Sequence, residues 1–206
     1  MERARGRRLQ RKSGFRVMIA PSAAVLLTSL LLTDGSRLCL AAVLAAFVHE
    51  LGHLAAARLL GIPMRALRLD LLGARLDTCG RMLTYGEEWL LCAAGPLFSL
   101  LLSAAMALFW KAFFFARLVS CASLLLGALN LLPIRSFDGG RMLSALLSAT
   151  LGERVSERAL TVSSFLFLFL LWSCAVYCLL RLGNGLSLFC FSMSLFSRFF
   201  SLSDGG

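Results

Sequence analysis

The sequence predicts an all-α polytopic membrane protein, with about six transmembrane helices and one short interfacial β-hairpin near a candidate active site. The chain has 206 residues, of which 59% are hydrophobic, and its mean hydropathy is +0.81. Soluble domains are nearer 45–50% apolar. Several uncharged runs approach the ~20 residues needed to cross a bilayer. These spans exclude a soluble nucleic-acid binder, although the net charge is +10.

The amino end is basic and precedes an apolar run. Its basic residues are Arg3, Arg5, Arg7, Arg8, Arg11, Lys12 and Arg16. Beside a membrane span, such a cluster indicates a cytoplasmic flank near anionic lipid. We therefore expect a cytoplasmic tail over residues 1–16 and a single transmembrane domain over 17–202. The first transmembrane helix is expected over Val17–Leu32, tilted or broken near Pro21.

The second predicted helix, Leu38–Leu60, carries the sequence His-Glu-Leu-Gly-His. His49 and His53 are four residues apart, so on a helix they share one face and can hold one zinc ion. Glu50 beside them is a candidate general base for the water that such a metal activates. A charged side chain at mid-membrane costs roughly 3 kcal/mol or more, which favours a functional role. The alternative is a histidine pair packed between helices, with Glu50 hydrogen-bonded to a neighbour.

Between residues 65 and 71 leucines alternate with charged residues, which predicts a strand. Gly73 could form the turn, and 74–78 would then return as a second strand. Lipid offers no hydrogen-bond partners for the backbone N–H and C=O groups of an exposed strand edge. This hairpin is therefore expected at the interface or in a cavity beside the site. There, an edge strand could pair with an extended substrate backbone. The alternative is an ordinary interfacial loop.

The later apolar runs predict the remaining helices. These are a third span at Trp89–Trp110, a fourth at Leu118–Ile134, a short helix at Met142–Leu151, a fifth span at Ala159–Leu180 and a sixth at Leu182–Ser197. With the amino end in the cytoplasm, most arginines fall on the cytoplasmic side, as the positive-inside rule requires. We therefore expect a multi-pass protein of the cell membrane, surrounded by lipid, with a cytoplasmic amino terminus.

A catalytic zinc site needs three protein ligands and one open position, so the histidines require a third partner. Asp138 is the best candidate, because it follows an apolar span on the cytoplasmic side and glycines come directly after it. Asp70 and Asp77 are alternatives, and Asp138 could also cap a helix. The cysteines form no C-x-x-C pair, which disfavours a thiolate zinc site.

Three motifs in this order resemble those of the site-2 proteases, which are intramembrane zinc metalloproteases. They are H-E-L-G-H at 49–53, A-G-P at 94–96, and N-L-L-P at 130–133 leading to D-G-G-R at 138–141. The short form and basic amino end most resemble the stage IV sporulation protein FB branch. Two departures occur: Phe98 and Ser99 stand where the family often has an asparagine, and residues 135–137 separate the ligand aspartate from a proline that usually precedes it closely.

The resemblance implies a metalloprotease domain over 17–202, with Zn2+ held by His49, His53 and Asp138. It also implies that Glu50 is the catalytic base and that Asn130 binds substrate. The substrate would be a membrane-tethered pro-protein, such as a precursor transcription factor, and a membrane protein could regulate its cleavage. A membrane metal-ion transporter and a non-catalytic membrane scaffold are the alternatives. A transporter usually spreads ionisable residues over several helices, which the third and fifth spans do not show.

Overall fold

The computed structural model describes residues 16–19, 35–62, 64–70, 73–78, 82–182 and 186–203. In chain order the elements are β1 (Arg16–Ile19), α1 (Gly35–Leu59), β2 (Met64–Asp70), β3 (Gly73–Thr78), α2 (Tyr85–Ala107), α3 (Phe114–Asn130), α4 (Asp138–Leu151), α5 (Glu153–Leu182) and α6 (Leu186–Ser203). The described residues divide into two compact units, one ending at Ala128 and one beginning at Leu129. The single domain predicted over 17–202 stays a prediction.

The strands form one sheet in the order β1-β2-β3. β2 and β3 pair antiparallel, with Arg68 opposite Arg75 and Asp70 opposite Gly73. The alternating leucines at 65–71 thus correspond to a strand that pairs with the segment after Gly73. The position of this pair beside an active site stays a prediction.

The predicted first transmembrane helix is wrong at its start. Residues Arg16–Ile19 form β1, which pairs parallel with β2 and sets Val17 opposite Leu67. Val17 and Ile19 are β-branched and favour extended backbone, and the edge of β2 offers their backbone groups partners. The rest of the predicted helix, with its bend near Pro21, lies outside the described residues.

Among the described residues, three helices are long and apolar enough to cross a membrane: Arg37–Leu59, Tyr85–Ala107 and Glu153–Arg181. They correspond to the predicted second, third and fifth spans. The last begins earlier than predicted, because the polar stretch after Gly152 joins the helix, with Glu153 in its first turn, where an acidic residue is favourable. α3 is apolar but shorter, with 17 residues. The predicted count of about six spans stays a prediction.

In the first unit, small residues bring helices together. A Cβ placed on Gly52 of α1 would lie 2.5 Å from the backbone oxygen of Ala94 on α2. Ser103 of α2 and Ser120 of α3 each donate a hydroxyl hydrogen bond to the other's backbone oxygen, both at 2.9 Å. Such contacts hold helices together in lipid, where apolar burial gives little advantage.

In the second unit, α5 fixes the connection that leads into α4. The backbone N–H of Arg135 donates to Ser164 Oγ at 2.9 Å, and Ser163 Oγ donates to the backbone oxygen of Pro133 at 2.9 Å. The Arg135 guanidinium also forms an ion pair with Glu157 of α5. The chain just before Asp138 is therefore held by three contacts to one helix.

The first turn of α4 packs against the same connection without intervening side chains. A Cβ on Gly139 would meet the backbone oxygen of Leu131 at 2.1 Å, and one on Gly140 would meet that of Ile134 at 2.1 Å. Only glycine fits at these two positions, because the obstructing atoms are backbone. The glycines that follow Asp138 therefore fix where the first turn of α4 lies.

We expect Gly52→Ala to lower the thermal unfolding temperature in detergent, because its Cβ would overlap a backbone oxygen of α2. Overpacking of this kind typically costs about 1–3 kcal/mol. The control is Gly86→Ala, since a Cβ there meets no atom within 4 Å. Alanine is otherwise the better helix former by about 1 kcal/mol. If Gly52→Ala unfolds at or above the temperature of the wild type, the close contact of α1 and α2 is wrong.

Candidate metal centre

His49 and His53 lie one helical turn apart on α1 and form a buried imidazole pair. Their side chains are 4% and 6% exposed. The two rings meet edge to face, with centroids 5.0 Å apart and an interplanar angle of 81°. Their Nε2 atoms are 3.3 Å apart. The spacing of four residues therefore brings both rings to one face of α1, as the sequence predicted.

The second nitrogen of each ring contacts α2. His53 Nδ1 lies 2.8 Å from the backbone oxygen of Leu91. Since a carbonyl only accepts, Nδ1 carries a hydrogen there, and in the neutral ring Nε2 presents its lone pair. His49 Nδ1 lies 2.9 Å from the hydroxyl oxygen of Ser99, which is fully buried. Partners on the outer nitrogen are what orient metal-binding histidines.

Gly95 supplies the space in which the two Nε2 atoms face α2. A Cβ at this position would lie 2.3 Å from His53 Nε2 and 2.8 Å from His49 Nε2. Any side chain there would occupy the site at which the imidazole lone pairs converge. The glycine of the Ala-Gly-Pro motif is therefore required by the imidazole pair.

The pair fits a zinc ion. In tetrahedral coordination with Zn–N bonds of about 2.0–2.1 Å, two ligand nitrogens are about 3.3–3.4 Å apart. The two Nε2 atoms have that separation, at 3.3 Å. Neutral imidazole nitrogens are common zinc ligands, and both outer nitrogens already have oxygen partners.

Asp138 is the first residue of α4 and is 9% exposed. The residue that caps this helix is Phe137, with no side-chain capping bond, so the alternative in which Asp138 is the N-cap is wrong. Its carboxylate lies in the first turn, where a negative charge is favourable. Asp70 and Asp77, the alternative ligands, belong to the paired strands β2 and β3. The choice of Asp138 as third ligand stays a prediction.

The other two predicted site residues, Glu50 and Asn130, lie on α1 and α3. Glu50 follows His49 on α1 and is partly buried, with its Oε2 atom screened from solvent. Asn130 is the last residue of α3 and is buried. Their roles as general base and as substrate ligand stay predictions.

Ser99 and the carbonyl of Leu91 contribute to the site and were not predicted. Leu91, Gly95 and Ser99 are spaced by four residues, so they share one face of α2. That spacing is visible in the sequence. The sequence does not show which helix this face contacts, because the register between two helices is set by packing between residues that are far apart in the chain.

Three comparisons with known proteins each find a match. The model of Peptidase family M50 matches residues 104–174. Rip3 of Mycobacterium tuberculosis, which is named as a candidate zinc metalloprotease, is 34% identical over 136 residues in each of two strains. That match covers 61% of this chain and 34% of Rip3, so the chain spans about one third of the length of these relatives.

The fold is similar to that of the site-2 protease from Methanocaldococcus jannaschii. The TM-score is 0.63 at 22% identity, and the match covers 91% of this chain and 90% of the other. The family model and Rip3 match parts of this chain in sequence, and the archaeal structure matches it in fold. They do not bear on the stage IV sporulation protein FB branch, which stays a prediction.

We expect Gly95→Ala to abolish zinc binding while leaving the helical content unchanged, because its Cβ would fill the space between the two Nε2 atoms. Zinc content after purification, measured by mass spectrometry, and far-ultraviolet circular dichroism test this. Gly86→Ala on the same helix is the control and should retain zinc. A Gly95→Ala protein with a full equivalent of zinc would show that the metal does not bind where the imidazoles converge.

Proposed function

We propose that this protein is an intramembrane zinc metalloprotease of the site-2 protease type, which hydrolyses a peptide bond in a membrane-tethered pro-protein. The observation that carries the proposal is the pair of buried imidazoles on an apolar helix, with Nε2 atoms 3.3 Å apart and outer nitrogens bonded to α2. A hydrolytic metal site needs such a preformed, oriented pair. The family likeness supports the same reaction.

The proposed ligands are His49, His53 and Asp138. The proposed set combines the imidazole pair of α1 with the carboxylate that begins α4. Two imidazoles and a carboxylate are a ligand set of hydrolytic zinc enzymes, and they leave the fourth position open for water or substrate. The contacts of the preceding chain to α5, and the packing of Gly139 and Gly140, would keep the carboxylate in a defined place.

When bound, zinc would lower the pKa of a water toward about 7 and polarise the scissile carbonyl. Glu50 accepts the proton of the attacking water and passes it to the nitrogen of the leaving amine. This role suits a carboxylate one residue from a ligand on the same rigid helix. Asn130, with an amide that both donates and accepts, would bind the substrate backbone.

The substrate has to present an extended backbone, because a helix hides the carbonyl that water must attack. The edge of the β-sheet could hold such a segment by adding it as a further strand. We place the reaction near the cytoplasmic face, with the amino terminus also in the cytoplasm, because the arginines concentrate on that side. A precursor transcription factor and a regulatory membrane protein, as in the sporulation branch, are the partners this proposal favours.

We expect Glu50→Gln to lose at least about 100-fold in cleavage rate, since general base catalysis contributes roughly 10²–10⁴-fold. The variant should retain zinc, because the imidazoles are unchanged. The assay is cleavage of a panel of membrane-tethered substrates in detergent or liposomes, with Glu88→Gln on α2 as control. Cleavage that persists in Glu50→Gln would refute Glu50 as the base. A zinc-loaded wild type that cleaves no substrate of a broad panel would contradict the proposed function.

We expect Asp138→Ala to weaken zinc binding by at least about 100-fold, since even an outer partner of a ligand contributes 10–100-fold. Chelator competition on the purified protein measures the affinity. Glu153→Ala is the matched control, because Glu153 is also acidic and in the first turn of a helix, but exposed. If both variants bind zinc equally well, Asp138 is not a ligand.

A further inference from the structure

We propose that Ser99 is the positioning residue of His49, and that its hydroxyl holds the imidazole in both neutral tautomers, one before zinc binds and the other after. The proposal rests on the zinc site proposed above and names a residue that holds one of its ligands. Ser99 is 0% exposed, and its Oγ lies 2.9 Å from His49 Nδ1.

The neighbouring ring, His53, has only one neutral tautomer available. Its Nδ1 faces the backbone oxygen of Leu91 at 2.8 Å, and a carbonyl cannot donate. The hydrogen of neutral His53 is therefore on Nδ1, with or without metal. Its Nε2 always presents a lone pair toward His49.

His49 has to change tautomer when metal binds. Without metal, the lone pair of His53 Nε2 is satisfied by a hydrogen on His49 Nε2, 3.3 Å away. The Nδ1 atom of His49 then has a lone pair and accepts from the Ser99 hydroxyl. A bound zinc ion would take the lone pairs of both Nε2 atoms. The hydrogen of His49 would then be on Nδ1 and would be donated to Ser99 Oγ. The ring holds one hydrogen throughout, so no proton is gained or lost.

A serine suits this position because a hydroxyl is both a donor and an acceptor. A carbonyl or carboxylate oxygen only accepts, so it would bond to the metal-bound tautomer alone. An alanine would bond to neither tautomer. Water has little room to take over the role, because Ser99 is fully buried and α3 approaches closely. A Cβ on Gly127 of α3 would lie 3.1 Å from Ser99 Cβ.

Ser103 provides a matched control one turn further along α2. It is also buried, and its hydroxyl donates to the backbone oxygen of Ser120 on α3 at 2.9 Å. Ser103→Ala and Ser99→Ala each remove one buried hydroxyl from the same helix. The two variants differ in whether a histidine loses its partner, so a purely structural effect would appear in both.

The experiment is nitrogen-15 NMR of the 206-residue chain labelled at histidine, recorded with and without zinc. The chain has 2 histidines, so the spectrum contains the signals of two rings and His49→Ala assigns them. In the wild type without zinc, we expect His53 protonated at Nδ1 and His49 at Nε2. After zinc is added, both rings should be protonated at Nδ1.

In Ser99→Ala we expect altered His49 signals and a zinc dissociation constant raised about 10- to 100-fold, the usual effect of removing an outer partner of a ligand. Ser103→Ala should stay within about 2-fold of the wild type in this assay, since it touches no ligand.

Two results would overturn the proposal while leaving the zinc site intact. One is a wild type that binds zinc with His49 in the same tautomer in both spectra. The other is Ser99→Ala with wild-type affinity and unchanged His49 signals. A wild type that binds no zinc refutes the metal site and this proposal together. If Ser99→Ala fails to fold, the two wild-type spectra alone decide the question.

Discussion

Two imidazole nitrogens that face each other at 3.3 Å are the constraint on which this structure depends. Two lone pairs at this distance repel each other unless a hydrogen or a cation lies between them. Both rings belong to an apolar helix, and keeping them at this distance requires fixed partners on their outer nitrogens. α2 supplies these partners through Leu91 and Ser99. The same helix leaves room at the inner nitrogens through Gly95. α2 thus orients the two imidazoles and leaves space at their inner nitrogens.

Helix packing positions the motifs that carry the candidate site. In lipid, helices gain little by hiding apolar surface from one another, so close backbone approach and polar contacts between helices matter more. Gly52 lets α1 approach α2, and Ser103 joins α2 to α3. In the second unit, Gly139 and Gly140 seat α4 against the preceding connection. Because these contacts involve backbone atoms, they position the motifs with little freedom.

The sequence predicts those features that depend on local pattern. Hydropathy found the helix that carries His49 and His53, and helical spacing put both rings on one face. The alternation after residue 65 located the strand β2. Features that depend on distant partners were missed. β1 forms because β2 offers an edge, and the role of Ser99 depends on the register of α2 against α1. Asp138 was expected as a possible cap, but the helix begins at Asp138, one residue after Phe137.

The central claim is that one zinc ion binds to two imidazoles and a carboxylate. X-ray absorption at the zinc edge of the purified, zinc-loaded protein tests it most directly. We predict a first shell of nitrogen and oxygen at about 2.0–2.2 Å, with the outer-shell scattering of two imidazoles. The chain also contains 7 cysteines, so a thiolate site is a real competitor. A sulfur shell at about 2.3 Å, or scattering from fewer than two imidazoles, would contradict the account.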